Sequence, residues 1–328
     1  MRLDAVDNVH LTRYVLDTVG VAAAVRAKII AQSDLPAWVL STRHSALSSL
    51  HYLRLWELVE HELDDRLIAV RTAADYEPGQ LGLHDHLMLT APSLGAGLAL
   101  TDRFVTLCST NHVHTVHSDS DPAGYTTVDF ELIRGEGRGG ELAMQTALCG
   151  SLVKMRKATG QPVTPLAVHF RQSAPADRTE FIDLFGTDRI DFGMPSDRIV
   201  LRSADAALPM RRANAARNRL LQQRALRLGQ LELVSWAGQV QQELAIMLTD
   251  EPVSIDAVAR RLLTSRRTLQ RHLASEGTSW RQEVERARRH RAAVAPRGIT
   301  ADERARRAGY SDSRSLRRAA ARWRESAK

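Results

Sequence analysis

The segment SRRTLQRHLASEGTSW, Ser265 to Trp280, sets side chains that could read nucleic acid beside side chains that bury. Leu269 and Leu273 are four residues apart and share one side of a helix. Arg266, Arg267, Gln270 and Arg271 fall on the other side. An arginine can donate two parallel hydrogen bonds to guanine, and a glutamine can pair with the exposed edge of adenine. Just upstream, Ser254 is the expected cap of a helix with Ile255, Val258, Ala259 and Leu262 as its apolar positions, and Asp256 suits its positive N-terminal end. The turn Leu-Thr-Ser leads to Ser265, the expected cap of the next helix, and Gly277 is that helix's expected end. Two short helices joined by a tight turn form a helix-turn-helix, whose second helix enters the major groove.

A second unit of the same kind follows a basic connector helix, RQEVERARRHRAAVA. Thr300 is the expected cap of ADERARRAG, and Ser311 that of the helix in YSDSRSLRRAAARW, which turns Arg314, Arg317 and Arg318 outward. Two such units suit successive major grooves on one face of double-stranded DNA, about one helical turn apart. The charge distribution agrees. Of a net +7, residues 251–328 carry 20 Lys+Arg against 9 Asp+Glu, or +11, which leaves −4 for the other 250 residues. A mildly acidic large part joined to a basic small part suits contact with a polyanion, although a solvated arginine-rich surface would carry the same charge.

The C-terminal part resembles the AraC/XylS family of bacterial transcription regulators. The residues carrying the resemblance are the S-x-R-x-L-x-R pattern and E-G-T-S turn of SRRTLQRHLASEGTSW, and the G-Y-S-D and final R-W of AGYSDSRSLRRAAARW. The resemblance implies that Arg267, Gln270 and Arg271 read bases in the first unit, with Ser313, Arg314 and Arg317 as candidates in the second. Some of these, and Arg318, would contact phosphate only. The second unit departs from the family pattern. Its first helix is polar, Leu316 and Ala320 stand where phenylalanine is common, and the connector is about two residues short. Losing buried aromatic side chains costs ~3 kcal/mol or more unless something compensates.

The elements in front are of another kind. Residues 1 to about 75 are expected to be helical, with Leu50, Leu53, Trp56 and Leu63 on one face of LSSLHYLRLWELVEHEL. Ser93 is an expected helix cap. HVHTVHS and YTTVDFELI read as a strand pair, and GGELAMQTALCGSLVKMRKATG as a helix ending at Gly160. TPLAVHFRQ reads as a strand, PADRTEFIDLFG as a short helix, and RIDFGMPSDRIVLRS as two short strands around a turn. The expected architecture is a mixed α/β (α+β) sensor domain over 1–204, a linker over 205–235, and an all-α domain over 236–328 with helix-turn-helix units at about 254–277 and 300–323. The front part, through YEPGQLGLHDHLMLTAPSLGAGL and PLAVHFRQSAPADRTEFIDLFGTDRIDFGMPSDRIVL, is similar to the so-called arabinose-binding domain of one AraC subgroup, which includes ornithine-utilisation and virulence regulators. That resemblance implies a domain that senses a small molecule and supports a homodimer. The domain's name does not make arabinose the ligand.

Other signals lead elsewhere. Gly135-x-Gly137-x-x-Gly140 has dinucleotide-loop spacing, but no acidic ribose ligand stands at the tip of the next strand, and a plain strand-to-helix turn explains it. His84-x-His86, His112-x-His114 and His117 could bind a metal, or else line a pocket or the surface. Cys108 and Cys149 are the only two cysteines, too few for a disulfide framework and consistent with a reducing cytoplasm. They could be redox sensors or inert buried thiols. HELDD lacks the second histidine of a zinc motif, and neither G-x-S-x-G nor a Walker loop occurs, so no catalytic constellation, metal or cofactor is expected. No signal peptide or membrane span is expected. The resulting expectation is a sequence-specific DNA-binding transcription regulator controlled by a small-molecule effector, with RNA polymerase as a candidate partner. The alternative is a ligand- or partner-binding protein with a decayed, non-specific DNA-binding domain.

Overall fold

The computed structural model describes residues 5–19, 23–33, 35, 39, 46–118, 124–228, 236–250, 253–275, 278–295 and 299–325. Gly277, the expected stop of the first reading helix, lies outside the described residues. The chain divides into two compact units, one made of 1–33 with 43–232, the other of 34–42 with 233–328.

The first unit opens with β1 (Val6–Asn8), α1 (Val9–Thr18), α2 (Ala23–Gln32), β2 (Ala46–Ser48), α3 (Ser49–Leu63) and α4 (Ile68–Ala74). The helices agree with the periodicity. The antiparallel β1–β2 ribbon, with Val6 opposite Ser48, was not anticipated, because three-residue strands are too short for alternation to register. The face of α3 also differs from expectation. Leu50 is exposed, and the buried stripe is Tyr52, Leu55, Trp56 and Val59, with Leu53 beside it.

Next come α5 (Leu83–Leu89) and α6 (Leu94–Arg103), the latter capped by Ser93, whose hydroxyl accepts the Ala96 N–H at 3.3 Å. A five-stranded sheet follows from β3 (His112–Ser118), β4 (Tyr125–Leu132), β5 (Ala167–Phe170), β6 (Ile190–Phe192) and β7 (Asp197–Arg202). Its order is β3-β4-β7-β5-β6, antiparallel except for the parallel β5–β6 pair. The expected strands are present, but β6 and β7 do not pair as neighbours around their turn. β5 lies between them, and α8 (Thr179–Phe185) crosses from β5 to β6. Phe170, Phe181, Phe185 and Phe192 fill the space under that crossover, with ring centroids 5.3–6.1 Å apart.

The central element is α7 (Arg138–Thr159), which ends at Gly160 in the left-handed region, φ 72°. It is buried almost all round because it packs on α3 and α4 as well as on the sheet. Its start explains the glycine spacing. A Cβ on Gly139 would stand 2.4 Å from the Leu53 carbonyl oxygen, and one on Gly140 would stand 1.8 Å from that of Gly135. Glu57 Oε1 already accepts the Gly139 N–H at 3.1 Å, so a carboxylate of the chain occupies the helix end where a nucleotide phosphate would bind. The glycines serve close packing. Downstream, α9 (Ser203–Ala206) straddles the expected domain boundary at 204, and α10 (Ala215–Leu228) falls within the segment expected to be linker. Asn218 on α10 donates to Leu87 O and Thr90 Oγ1 at 2.8 Å each, and Ala225 packs with Leu87 and Phe104.

The second unit is helical throughout its described residues from 236: α11 (Trp236–Asp250), α12 (Ile255–Arg261), α13 (Arg266–Ser275), α14 (Trp280–Val294), α15 (Ala301–Arg307) and α16 (Ser313–Glu325). Val240, Leu244 and Met247 of α11 form one apolar cluster with Val258, Leu262, Leu269 and Leu273. Ser254, Ser265 and Thr300 act as the expected caps, each accepting an N–H three residues on at 3.1 Å. Ser311 does not cap α16. That helix begins at Ser313, so the capping position falls on Asp312, whose Oδ1 accepts the Ser315 N–H at 2.7 Å.

Two glycines of one helix separate these effects. Gly140→Ala is expected to destabilise the protein by about 3 kcal/mol or more, because backbone must move to admit the methyl group. Gly150→Ala, whose added Cβ would meet nothing nearer than Tyr76 at 3.9 Å, is expected to stabilise α7 by up to about 1 kcal/mol. Urea unfolding midpoints of both variants check this.

Candidate functional site

The second unit presents two arginine-bearing helices. In α13, Leu269 and Leu273 are fully buried, and Arg266, Arg267, Gln270 and Arg271 are exposed. The helix is held from behind by the leucine cluster, at its start by Ser265, and along its side by Trp236 stacked on His272 at 4.3 Å. The preceding turn puts Leu263 at φ 50°. Arg266 Nη1 lies 3.8 Å from Asp256 Oδ2, and both side chains are exposed, so the pair is weak. Arg267, Gln270 and Arg271 project from the exposed side three and four residues apart.

The α16 side is built differently. Arg314, Arg317 and Arg318 are exposed, and Arg318 Nη2 reaches Ser315 Oγ at 3.3 Å. Ser313 is half-buried, its N–H bound to Asp302 Oδ1 of α15 at 2.9 Å. Behind this helix the buried groups are small: Ala305, Ala308 and Ala319. Polar contacts do the anchoring. Trp323 Nε1 donates to Glu285 Oε1 at 2.7 Å, and Arg288 lies 5.0 Å over the Tyr310 ring, itself 6.4 Å from Trp323. Arg288, Tyr310 and Glu285 were not anticipated, because nothing in their spacing marks a packing role.

The first unit contains a cavity of about 110 Å³ between α7, β3, β4 and the helices before them. Its walls are mainly apolar, with Met88, Leu98, Val128, Phe130 and Met155 among them, and its polar groups include His84, His112, His114, three tyrosines, Thr101, Thr146, Ser151 and Lys154. Lys154 Nζ donates to Asp85 Oδ1 at 2.8 Å in a buried ion pair. The other carboxylate oxygen of Asp85 accepts from the Tyr76 hydroxyl and from the N–H groups of Gly79 and Leu81, at 2.8 and 3.0 Å. Burial pushes the Asp85 carboxyl upward, but Lys154 and Tyr76 outweigh it and hold it at about 2. Tyr14 is satisfied by Thr72 O at 2.9 Å.

The histidines separate into two sets. His84, His112 and His114 line the cavity, with the His84 and His114 ring centroids 6.1 Å apart. His117 is exposed, 3.9 Å from Asp129. Among the described residues no group of three His, Cys, Asp or Glu side chains is placed to hold a metal ion. Burial lowers His84 and His112 to about 4 and His114 to about 3, and the Lys154 charge adds to the effect on His84 and His114. Cys108 borders the cavity, and burial pushes its thiol up to about 12; Cys149 is raised further. Both are therefore thiols rather than reactive thiolates at neutral pH. No residue of this cavity was chosen from the sequence as an effector contact. The His-x-His spacings were the available signal.

Over residues 25–210 the sequence matches the family model of the N-terminal arabinose-binding domain of AraC transcription regulators. No curated protein matches the sequence. Among solved structures, the chain is similar to the transcriptional regulator CdpR from Pseudomonas aeruginosa, at 20% identity over 96% of this chain and 93% of that one. The TM-score of that superposition is 0.39. Among the described residues, no helix is long and apolar enough to cross a membrane.

Two outcomes follow from the cavity. Lys154→Met would leave the Asp85 carboxylate buried without its cation and is expected to destabilise the protein by about 3 kcal/mol, read from urea unfolding. Stability is also expected to fall between pH 6.5 and about 4. In that window the unfolded chain protonates His51, His84, His112 and His114 while the folded chain keeps them neutral, at about 1.4 kcal/mol per pH unit for each group. Asp7, raised by burial to about 7, and Asp197, also raised by burial, bind protons in the folded state first and oppose this with two groups against four. Melting temperatures from pH 7 to 4.5 measure the net slope, and His114→Gln should flatten it.

Proposed function

The chain belongs to the family of AraC transcription regulators, and on that premise we propose that it binds a specific double-stranded DNA site and regulates transcription in response to a small molecule. The observation that carries this reading is α13: an exposed Arg-Arg-x-x-Gln-Arg surface on a helix fastened by fully buried leucines. In the major groove, Arg267, Gln270 and Arg271 read base edges, while Arg266, already turned toward Asp256, serves a phosphate. α16 supplies the second contact through Ser313, Arg314, Arg317 and Arg318. Phosphate contacts by arginine supply much of the affinity and make it fall steeply with salt.

In this reading the cavity of the first unit takes the effector. Residues 1–204 form the sensing part, 236–328 the reading part, and 205–235 join them. The protein acts as a homodimer in the cytoplasm, with RNA polymerase as a further partner and no enzymatic activity. Effector binding shifts the balance between arrangements of the two reading domains by its differential affinity for them.

A second reading, a ligand- or partner-binding protein with a decayed, non-specific DNA-binding domain, is favoured by one observation: among the described residues, the buried apolar side chains of α15 and α16 are alanines.

Fluorescence anisotropy on DNA from upstream of the protein's own and neighbouring genes, against scrambled DNA over a salt series, separates the two. A regulator is expected to prefer one segment by ~10³-fold or more. Gln270→Ala combined with Arg271→Ala is expected to remove that preference while leaving salt-dependent binding to both DNAs. Equal binding of the wild-type protein to both DNAs would favour the second reading.

A further inference from the structure

Most polar groups lining the cavity of the first unit are satisfied by the protein itself. Lys154 is matched by Asp85, Asp85 also accepts from Tyr76, and Tyr14 donates to Thr72. Thr101 and Thr146 donate to helix carbonyls at 2.8 and 2.9 Å. Two buried lining atoms have no protein partner, His84 Nδ1 and His114 Nε2. They belong to rings that face each other edge to face, with centroids 6.1 Å apart.

The bonding of His84 decides what it needs. Its Nε2 lies 3.2 Å from the Thr101 carbonyl oxygen. A carbonyl only accepts, so Nε2 carries the hydrogen and Nδ1 presents a bare lone pair. A buried acceptor of this kind is costly until a donor reaches it. A carboxylate or a ketone cannot supply one. A carboxylate would also bring a negative charge to a lysine already neutralised by Asp85, and an ammonium group would bring a second cation beside Lys154. A hydroxyl donates its one hydrogen to His84 Nδ1 and accepts, through an oxygen lone pair, from His114 in the tautomer that carries its hydrogen on Nε2. The volume limits size: about 110 Å³ is smaller than the cavity of about 150 Å³ that takes up benzene in an engineered protein, so a ligand has at most one ring.

We propose that the cavity binds a small uncharged molecule of about one ring, apolar over most of its surface and carrying one hydroxyl that bridges His84 Nδ1 and His114 Nε2. The class is that of simple phenols and short-chain or cyclic alcohols. This rests on reading the cavity as the effector site.

The test is calorimetric titration of the full-length protein with three probes of matched size: p-cresol, toluene and benzoate. p-Cresol is expected to bind at one per chain and toluene roughly ten- to hundredfold more weakly, since it leaves His84 Nδ1 unpaired. Benzoate is expected not to bind measurably. In His114→Leu the preference for p-cresol over toluene should shrink severalfold, and the wild-type comparison stands if that variant does not fold. Equal affinity for p-cresol and toluene, tighter binding of benzoate, stoichiometric Zn²⁺ uptake lost in His114→Leu, or no binding of any probe would each overturn the proposal. DNA anisotropy with p-cresol present is read separately. Binding of p-cresol without any change in DNA affinity or in transcription would leave the ligand class standing and remove the reading of the cavity as an effector site.

Discussion

Taking a carboxylate and an ammonium group out of water costs several kcal/mol per ion, so the buried Asp85–Lys154 contact persists because the two charges meet directly and both Asp85 oxygens accept hydrogen bonds. Asp85 sits at the first turn of α5 and gathers the Tyr76 hydroxyl, the Gly79 and Leu81 amides and Lys154. Lys154 comes from the middle of α7, the helix against which α3, α4 and the sheet all pack. The pair therefore ties the 76–85 loop to the central helix and sets one wall of the cavity. It also sets the cavity's electrostatics. With the ammonium group neutralised, the unpartnered buried atoms of the lining belong to two imidazoles that burial keeps neutral.

The second unit solves another problem, that of presenting arginines without burying them. α13 does so by division of labour: two leucines four residues apart carry most of the packing and leave Arg266, Arg267, Gln270 and Arg271 exposed. In α16 the buried positions hold alanine, which contributes little apolar area, and the Glu285–Trp323 and Arg288–Tyr310 contacts take over part of the anchoring. Such contacts orient a helix but, being partly exposed, hold it less firmly than a leucine cluster does.

The glycines at 135, 137 and 140 show how one spacing can serve two purposes. A phosphate-binding loop needs glycine so that backbone can approach a ligand. Here Gly140 lets α7 approach the Gly135 carbonyl, Gly135 and Gly137 take positive φ in the turn, and Glu57 supplies the negative charge that the helix end favours. Spacing alone cannot distinguish the two, because both ask the same thing of the backbone.

What the sequence determined by itself is what depends on neighbours within a few residues. The caps at Ser93, Ser254, Ser265 and Thr300, the stop at Gly160, the buried Leu269 and Leu273, and the exposure of Arg267, Gln270 and Arg271 all follow from helical periodicity and local hydrogen bonding. Tertiary structure decided the rest. Which face of α3 is buried depended on the elements packed around it, α7 foremost, and Tyr52 and Val59 are buried while Leu50 stands in solvent. β6 and β7 look like hairpin partners along the chain, yet β5 is inserted between them through long-range pairing. The pairing of Asp85 with Lys154, 69 residues apart, and the meeting of His84 with His114, 30 residues on, have no local signature. A cavity is made by parts of the chain that are distant in sequence, and its chemistry is set by which polar groups the fold leaves without a partner.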